Sequence, residues 1–257
     1  YPGGANAPTA LEHDLFTHNP SFERWSGATT VSSITTSVAR TADRWLVNAG
    51  TGTLTATRTA NSDAVRRLLN SNSRYCLNIE ADTTCNAVSI RQRFYGQDIM
   101  TRLADRTFVA QAIIDGAADG VEFRFYSEYY YGSGGSPSST VSNVVISKQD
   151  ALAGGLTALE ERHYTPTVEN KTFGSNNDAY ADFYLYITKG SDFALNLNIR
   201  ELGWNFGAQA IGISPYDAER DGPSLDRYTE LLTIGPSALF DGTANFGSTS
   251  TGVSHVF

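Results

Sequence analysis

Several features that carry function in other proteins are scarce in this sequence. Its 257 residues include two cysteines, one methionine and four histidines. No run of 18 apolar residues is present, so we expect no membrane insertion. The first residues, YPGGANAPTA, have neither the basic start nor the apolar stretch of a secretory signal peptide.

Charge is also scarce, and it is unbalanced. Lys and Arg total 19 against 27 Asp and Glu, which gives a formal net charge of −8, and only 18% of the residues are charged. A negative chain is repelled by nucleic acid and by anionic membranes, so we expect no nucleic-acid partner. The one basic cluster, formed by Arg91, Arg93, Arg102 and Arg106, is too sparse to change that expectation.

Catalytic and metal-binding motifs are absent from the sequence as well. No histidine stands in a G-x-S-x-G or H-E-x-x-H context, and each fits a solvated loop; the four are His13, His18, His163 and His255. Carboxylates are plentiful, but acid–base cleavage of a sugar needs two of them at a defined separation, which a sequence does not give. We therefore expect no catalysis, no metal site and no cofactor.

One charged stretch leaves calcium open. The segment DAERD at residues 217–221 offers carboxylate oxygens, which are ligands that Ca²⁺ prefers. Its spacing is not that of an EF-hand loop, and the residues favour a turn closed by Arg–Asp pairs over a calcium site.

The two cysteines flank a stretch that resembles a β-hairpin. Cys76 and Cys85 enclose LNIEADTT, and across such a hairpin they could face each other and form a disulfide. The alternative is a pair of semi-buried thiols that fill apolar space. A C-x8-C spacing without a nearby histidine is not a zinc pattern.

Alternating apolar and polar residues are the dominant pattern of the chain. This period of two is typical of antiparallel strands with one solvated face, and turn signals rich in Gly, Pro and Asn separate the strands. Helix signals are confined to residues 62–71 and 223–232. The five clearest alternating stretches are residues 87–94, 107–115, 121–127, 182–188 and 193–204.

This pattern predicts an all-β protein, an antiparallel jelly-roll β-sandwich of roughly ten strands. No internal repeat suggests a propeller or solenoid. We expect residues 1–18 to form an extended arm or linker and residues 19–231 to form the jelly roll, closed by a short C-terminal helix. Residues 232–257 are then a tail or the start of a further β module.

Clustered tyrosines give the best candidate binding site. Tyrosine rings stack on the apolar face of a pyranose, while neighbouring polar groups bond its hydroxyls. Tyrosine is equally favoured in subunit contacts, so a glycan site, an oligomer contact and ordinary packing all stay open. The candidates are Tyr126, Tyr129, Tyr130 and Tyr131, with Tyr184 and Tyr186 as a weaker second group beside Asn196 and Asn198.

An ordered set of motifs resembles a known family. NPSFERW at residues 19–25 is followed by TADRW at 41–45, IRQRFYG at 90–96 and LNLNIRELGWNFG at 195–207. This order resembles the carbohydrate-binding-module-like jelly roll of bacteriophage tail-fibre and head-fibre proteins.

The same family places a closing segment after its last strand. The positions that match are Pro215, Tyr216, Arg220, Arg227 and Tyr228. The sequence departs from the pattern there, because its glycine falls one residue early and the usual cysteine is missing. The resemblance implies that this segment seals the jelly roll, and that the native polypeptide continues beyond residue 257.

The resemblance also implies a function. It predicts a fibre or spike component at the virion surface, outside the cell, that binds host cell-surface polysaccharide during adsorption without cleaving it. The expected partners are the host glycan and other virion proteins, and the expected assembly is a homotrimer. Two alternatives stay open: a purely structural decoration or attachment protein that binds neighbouring subunits, and a polysaccharide-degrading enzyme.

Overall fold

The chain folds as a sandwich of two antiparallel β-sheets, which confirms the predicted all-β class. A computed structural model describes residues 17–69, 73–115, 120–141, 146, 148–189 and 194–207. In chain order, the strands are β1 (Thr30–Ile34), β2 (Ala39–Arg40), β3 (Leu46–Ala49), β4 (Leu54–Ala60), β5 (Tyr75–Ala81), β6 (Ala87–Tyr95), β7 (Thr107–Asp115), β8 (Glu122–Tyr130), β9 (Ser139–Val141), β10 (Lys148–Ala151), β11 (Leu156–Tyr164), β12 (Tyr180–Thr188) and β13 (Leu195–Phe206).

The strands divide into a larger and a smaller sheet. The larger sheet has seven strands in the order β1-β4-β5-β13-β7-β11-β10, and the smaller has six in the order β2-β3-β6-β12-β8-β9. Within each sheet every pair of neighbouring strands is antiparallel, and consecutive strands often lie in different sheets. The short helices are α1 (Asp63–Leu68), α2 (Gln97–Leu103) and a 3-10 turn (Ala153–Gly155).

The predicted helix at residues 62–71 is confirmed as α1. Ser62 caps it, because its Oγ accepts a hydrogen bond of 3.3 Å from the backbone N–H of Val65. Within the described part of the chain, no helix is both long enough and apolar enough to cross a bilayer.

Aromatic rings fill the space between the sheets. Trp45 and Trp204 are fully buried with ring centroids 5.6 Å apart, and Phe22 packs on Trp45 at 4.9 Å. Phe183 approaches Trp204 at 6.0 Å and so joins the two sheets through one cluster. Each such ring stabilises the fold by about 1.5–3 kcal/mol relative to leaving it in water.

The motifs at residues 19–25 and 41–45 pair with each other in the fold. Asn19 Nδ2 donates to the carbonyls of Arg24 (3.0 Å) and Asp43 (3.2 Å), and Asn19 Oδ1 accepts from the Arg24 N–H at 3.1 Å. The indole N–H of Trp45 donates to the Asn19 carbonyl at 2.8 Å. Asn19 has a φ of 51°, a left-handed conformation that asparagine tolerates better than most residues. These hydrogen bonds therefore join the segment before β1 to the turn before β3.

Of the two possibilities left open for the cysteines, the structure has the pair of thiols and not the disulfide. β5 belongs to the larger sheet and β6 to the smaller, so the chain between the cysteines crosses from sheet to sheet instead of forming a hairpin. Both cysteines are free and buried. Cys76 lies 3.1 Å from the Arg200 guanidinium, where burial raises the pKa of its thiol to about 11, whereas Cys85 lies 3.2 Å from the Ala87 carbonyl.

His163 also departs from expectation, since it lies in the core and not in a solvated loop. It stands on β11 and is only 3% exposed. Its ring stacks on Phe108 at a centroid distance of 5.4 Å.

Both ends of the chain hold predictions that fall largely outside the described residues. Of the predicted arm, Thr17 and His18 are described, and both are fastened to the sandwich. Thr17 Oγ1 accepts a hydrogen bond of 2.6 Å from the Trp204 N–H, and the His18 N–H donates to Gln92 Oε1 at 3.0 Å. Outside the described residues lie the rest of the arm, the closing helix, the calcium segment 217–221, the tail 232–257 and the closing residues Pro215, Tyr216, Arg220, Arg227 and Tyr228.

Candidate functional site

The outer side of the smaller sheet carries an unusual set of large side chains. Successive strand residues point to opposite faces, and Ile90, Phe125 and Phe183 are fully buried on the inner face. Their neighbours on β6, β8 and β12 therefore point away from the core. We call this surface the tyrosine face; its members are Arg91, Arg93, Tyr95, Tyr126, Glu128, Tyr130, Tyr180, Asp182, Tyr184 and Tyr186.

Strand register arranges these side chains in rows across three strands. The first row is Tyr95–Tyr180–Tyr130, the second Arg93–Asp182–Glu128 and the third Arg91–Tyr184–Tyr126. Rows on one face are two residues apart, which is roughly 7 Å along a strand. A charged row thus lies between two rows that contain tyrosines.

The first row is an aromatic cluster with a cation against it. The rings of Tyr130 and Tyr180 have centroids 5.0 Å apart, and Tyr95 meets Tyr180 edge-on at 6.1 Å. The Arg93 guanidinium carbon lies 3.5 Å from the Tyr180 ring centroid. A cation this close to a ring face gains a favourable electrostatic contact, which restricts the orientation of the Tyr180 ring.

The second row centres on a buried carboxylate. Asp182 has no exposed surface, and it accepts hydrogen bonds from Arg93 Nε (2.8 Å) and a second Arg93 nitrogen (2.6 Å). Arg91 Nε is 3.4 Å from the same carboxylate. Burial works to lower the pKa of Arg93, but the hydrogen bonds and charge of Asp182 together raise that pKa above its ordinary value. The arginines therefore compensate the buried negative charge of Asp182. Without such a partner, a buried carboxylate would destabilise the fold strongly.

The third row places a tyrosine hydroxyl between two carboxylates. Tyr184 Oη accepts from Arg91 at 2.8 Å, and it lies 2.9 Å from Glu128 Oε2 and 3.1 Å from Asp182 Oδ2. The Tyr184 hydroxyl has one proton to donate. Asp182 already accepts hydrogen bonds from Arg93, so Glu128 is the better acceptor for this proton. Burial, then the nearby Asp182 charge, raises the pKa of Tyr184, which keeps its hydroxyl protonated.

Ring stacking completes this row. Tyr126 lies parallel to Tyr184, with centroids 4.2 Å apart and an interplanar angle of 11°, and Tyr186 meets Tyr126 edge-on at 6.0 Å. Burial and then the Glu128 carboxylate raise the pKa of Tyr126, so its hydroxyl is also neutral. Tyr126 and Tyr186 are half-buried, and each keeps part of its ring at the surface.

The structure separates the predicted tyrosines into two groups. Tyr126, Tyr130, Tyr184 and Tyr186 share the tyrosine face. The neighbours of Tyr184 cover it, so that only 3% of this residue is exposed. Tyr129 and Tyr131 were wrong candidates, since both are fully buried in the core.

The reason for that error lies in the strand alternation. On β8, Glu128 points outward, so the next residue, Tyr129, points inward to the core. The hydroxyl of Tyr131 is used internally, donating to the Thr167 carbonyl at 3.0 Å.

The weaker second grouping is also wrong in part. Asn196 and Asn198 stand on β13 in the larger sheet, so they do not share a surface with Tyr184 and Tyr186 on β12. Both asparagine side chains instead accept hydrogen bonds from Asn78, at 2.8 and 2.9 Å.

Sequence reasoning missed six of the ten members of the tyrosine face. The overlooked members were Arg91, Arg93, Tyr95, Glu128, Tyr180 and Asp182. The alternation of β6 already placed its two arginines together on one side, but their partners come from β12, about 90 residues later, and β8 adds Glu128. Within the described parts of the chain, no group of three or more His, Cys, Asp and Glu residues is arranged to hold a metal ion.

Comparison with known proteins finds similarity in structure alone. The sequence matches no family model and no curated protein. Similar solved structures include carbohydrate-binding modules with β-sandwich folds. One is the C-terminal family 22 carbohydrate-binding module of Clostridium thermocellum Xyn10B, at 15% identity and a TM-score of 0.43, covering 79% of this chain and 100% of the module.

Two further structures are parts of longer chains. The CBM22-1–GH10 modules of Clostridium thermocellum Xyn10B match at 13% identity and a TM-score of 0.39, over 79% of this chain and 30% of theirs. The enzymatically active domain of bacteriophage CBA120 tailspike protein 4 matches at 8% identity and a TM-score of 0.38, over 76% of this chain and 21% of its own. The chain thus spans less than a third of either, and the likeness concerns the fold.

Proposed function

We propose that the tyrosine face binds polysaccharide and does not cleave it. The observation that carries this proposal is the row arrangement itself, in which tyrosines from three adjacent strands flank a hydrogen-bonding charged row on an outward surface. Aromatic rings supply the apolar contact that sugar C–H groups seek, and the charged row supplies partners for sugar hydroxyls. Because stacking and ion pairs already hold these side chains, little side-chain freedom is lost on binding.

The state of the carboxylates on the tyrosine face supports binding without cleavage. Cleavage of a glycosidic bond needs two carboxyl groups that reach the ligand, one of them as proton donor. On the tyrosine face, Asp182 is fully buried and bonded to Arg93, so it can neither attack nor protonate a ligand. Glu128 is left without a carboxylate partner for such a reaction.

The biological setting of the proposal comes from the family resemblance. The chain would be a fibre or spike component on the surface of a phage or phage-like particle, and the ligand would be a host cell-surface polysaccharide. As a homotrimer displayed in several copies, it would combine weak single sites into firm attachment, since linked sites multiply their effect without new contacts.

Substitution of the exposed tyrosines tests the proposal. We expect the Tyr126→Ala/Tyr186→Ala double variant to lose polysaccharide binding by roughly tenfold or more, because each lost stacking contact is worth ~0.5–1.5 kcal/mol. The measurement is retention on a glycan array and on immobilised host polysaccharide. Tyr164→Ala is the matched control, since Tyr164 is 59% exposed on the other sheet. Equal binding by both variants, with unchanged melting transitions, would contradict the proposal.

A second candidate function is contact with neighbouring virion subunits. Tyrosine and arginine are enriched in the centres of protein interfaces, and both dominate this face. Stoichiometric co-purification with particles, together with no retention on any polysaccharide, would favour it. Release of reducing ends from a bound polysaccharide would instead support the enzyme alternative.

A further inference from the structure

We infer that the tyrosine face selects uncharged polysaccharide, and that Glu128 is the residue that sets this selectivity. The inference rests on the proposed function and narrows it to a ligand class. It follows from how the arginines of the face are paired and from which carboxylate oxygen is left open.

The outward-pointing arginines of β6 and β8 are each paired with a carboxylate. Arg93 holds Asp182 through two nitrogens, and Arg91 lies 3.4 Å from the same carboxylate. Arg124, one row further along β8, is 3.1 Å from Glu122.

The central strands of this surface therefore carry no excess positive charge. The three arginines of β6 and β8 balance the charges of Asp182, Glu122 and Glu128. Arg40 lies on the same side of the sheet, but on the edge strand β2, two strands away from β6.

An acidic sugar would find no free cation on these central strands. To bond a ligand carboxylate, Arg93 would have to give up the two hydrogen bonds that compensate the buried charge of Asp182. The rest of the protein adds to the penalty, because its formal net charge is −8.

Glu128 is the anionic group that remains open to a ligand. Its Oε2 accepts from the Tyr184 hydroxyl at 2.9 Å, and among the described residues its Oε1 has no hydrogen-bond partner. Glu128 is half-buried, so this oxygen can accept a bond from a sugar hydroxyl. The same oxygen repels a sugar carboxylate.

Glu128 lies between two half-buried tyrosines on its own strand. Tyr126 and Tyr130 are four residues apart on β8, which is about 13 Å at ~3.3 Å per residue, and Glu128 is midway between them. A polysaccharide that contacts both tyrosine rows therefore passes over this carboxylate.

Matched polymers test the selectivity directly. The probes are dextran, cellulose and β-1,3-glucan, the latter two as soluble hydroxyethyl derivatives, each paired with its carboxymethyl derivative, at low salt where charge repulsion is least screened. We expect at least one neutral polymer to bind, and its carboxymethyl partner to bind roughly tenfold more weakly, a difference of about 1.4 kcal/mol. Equal or tighter binding of the carboxymethyl member would overturn the inference and leave the proposed function standing. Retention of no polymer at all would contradict the proposed function and the inference with it.

A single substitution tests the role of Glu128. Glu128→Gln keeps the size of the side chain and an acceptor for Tyr184 but removes the charge, so we expect the neutral-to-carboxymethyl binding ratio to fall by roughly threefold or more. Glu80→Gln, on the exposed side of the larger sheet, is the control and should leave the ratio unchanged. An unchanged ratio in a folded Glu128→Gln protein would show that Glu128 does not set the selectivity.

Discussion

His163 shows how burial sets the behaviour of a single residue. It is 3% exposed between Phe108 and Phe125, and burial lowers the pKa of its imidazole to about 4. The native state therefore keeps this histidine neutral, whereas the unfolded chain protonates it near its ordinary pKa of about 6.5. Below that pH the unfolded state binds more protons, so stability falls as the pH drops toward 4.

We accordingly predict that His163 makes the fold sensitive to acid. Between pH 7 and pH 5 its contribution should reduce the free energy of unfolding by about 2 kcal/mol. The measurement is urea denaturation at the two pH values for the natural protein and for His163→Leu. The variant should lose that part of the pH dependence; the same dependence in both proteins would mean that the histidine is protonated in the native state.

Neighbouring tyrosines show how far sequence reasoning reaches at this scale. The alternation of β8 puts Phe125 inward and Tyr126 outward, and extending it by four residues puts Tyr129 inward and Tyr130 outward. The side of the sheet to which each residue points was therefore predictable from this alternation. The interpretation of the whole YYY run as exposed did not apply it.

We predict that Tyr129→Ala lowers the free energy of unfolding by ~3–5 kcal/mol, as expected for a buried ring replaced by alanine. Chemical denaturation measures this loss.

At the scale of elements, the segment that precedes β1 and the turn before β3 act as one unit. Asn19 makes three side-chain hydrogen bonds to backbone groups of Arg24 and Asp43, and its own carbonyl accepts from the Trp45 indole. The two motifs, about 20 residues apart in the sequence, therefore meet in the fold.

We predict that Asn19→Ala destabilises the fold by about 2–3 kcal/mol, because partly buried backbone groups lose their partners. Chemical denaturation measures the loss. Ser26→Ala is a suitable comparison, since Ser26 bonds Asp43 at an exposed position and should cost well under about 1 kcal/mol. Similar losses in the two variants would mean that Asn19 does not hold the segment.

The strands themselves were largely predictable from the sequence, whereas their partners were not. Period-two alternation located β6, β7, β8, β12 and β13, because it depends only on neighbouring residues. The sheet in which each strand lies depends on pairing between distant residues, which is why the hairpin between the cysteines and the grouping of β12 with β13 were both wrong. The tyrosine face depends on the same distant pairing.

At the scale of the molecule, the protein as a whole is acidic, whereas the charges of the tyrosine face balance one another. The formal net charge of −8 opposes the approach of acidic polymers, and the arginines of the tyrosine face are paired with carboxylates. Shallow contacts on such a face would give weak single sites. If the chain is displayed in several copies on a particle, as we propose, the combined sites would give firm attachment.

The most direct test of the central claim is chemical footprinting of tyrosines with and without a bound neutral polysaccharide. We predict that the ligand reduces labelling of Tyr126, Tyr130 and Tyr180, which lie on the tyrosine face, and leaves Tyr164 on the other sheet unchanged. Protection at Tyr164 with none on the tyrosine face would place the ligand elsewhere and contradict binding by the tyrosine face.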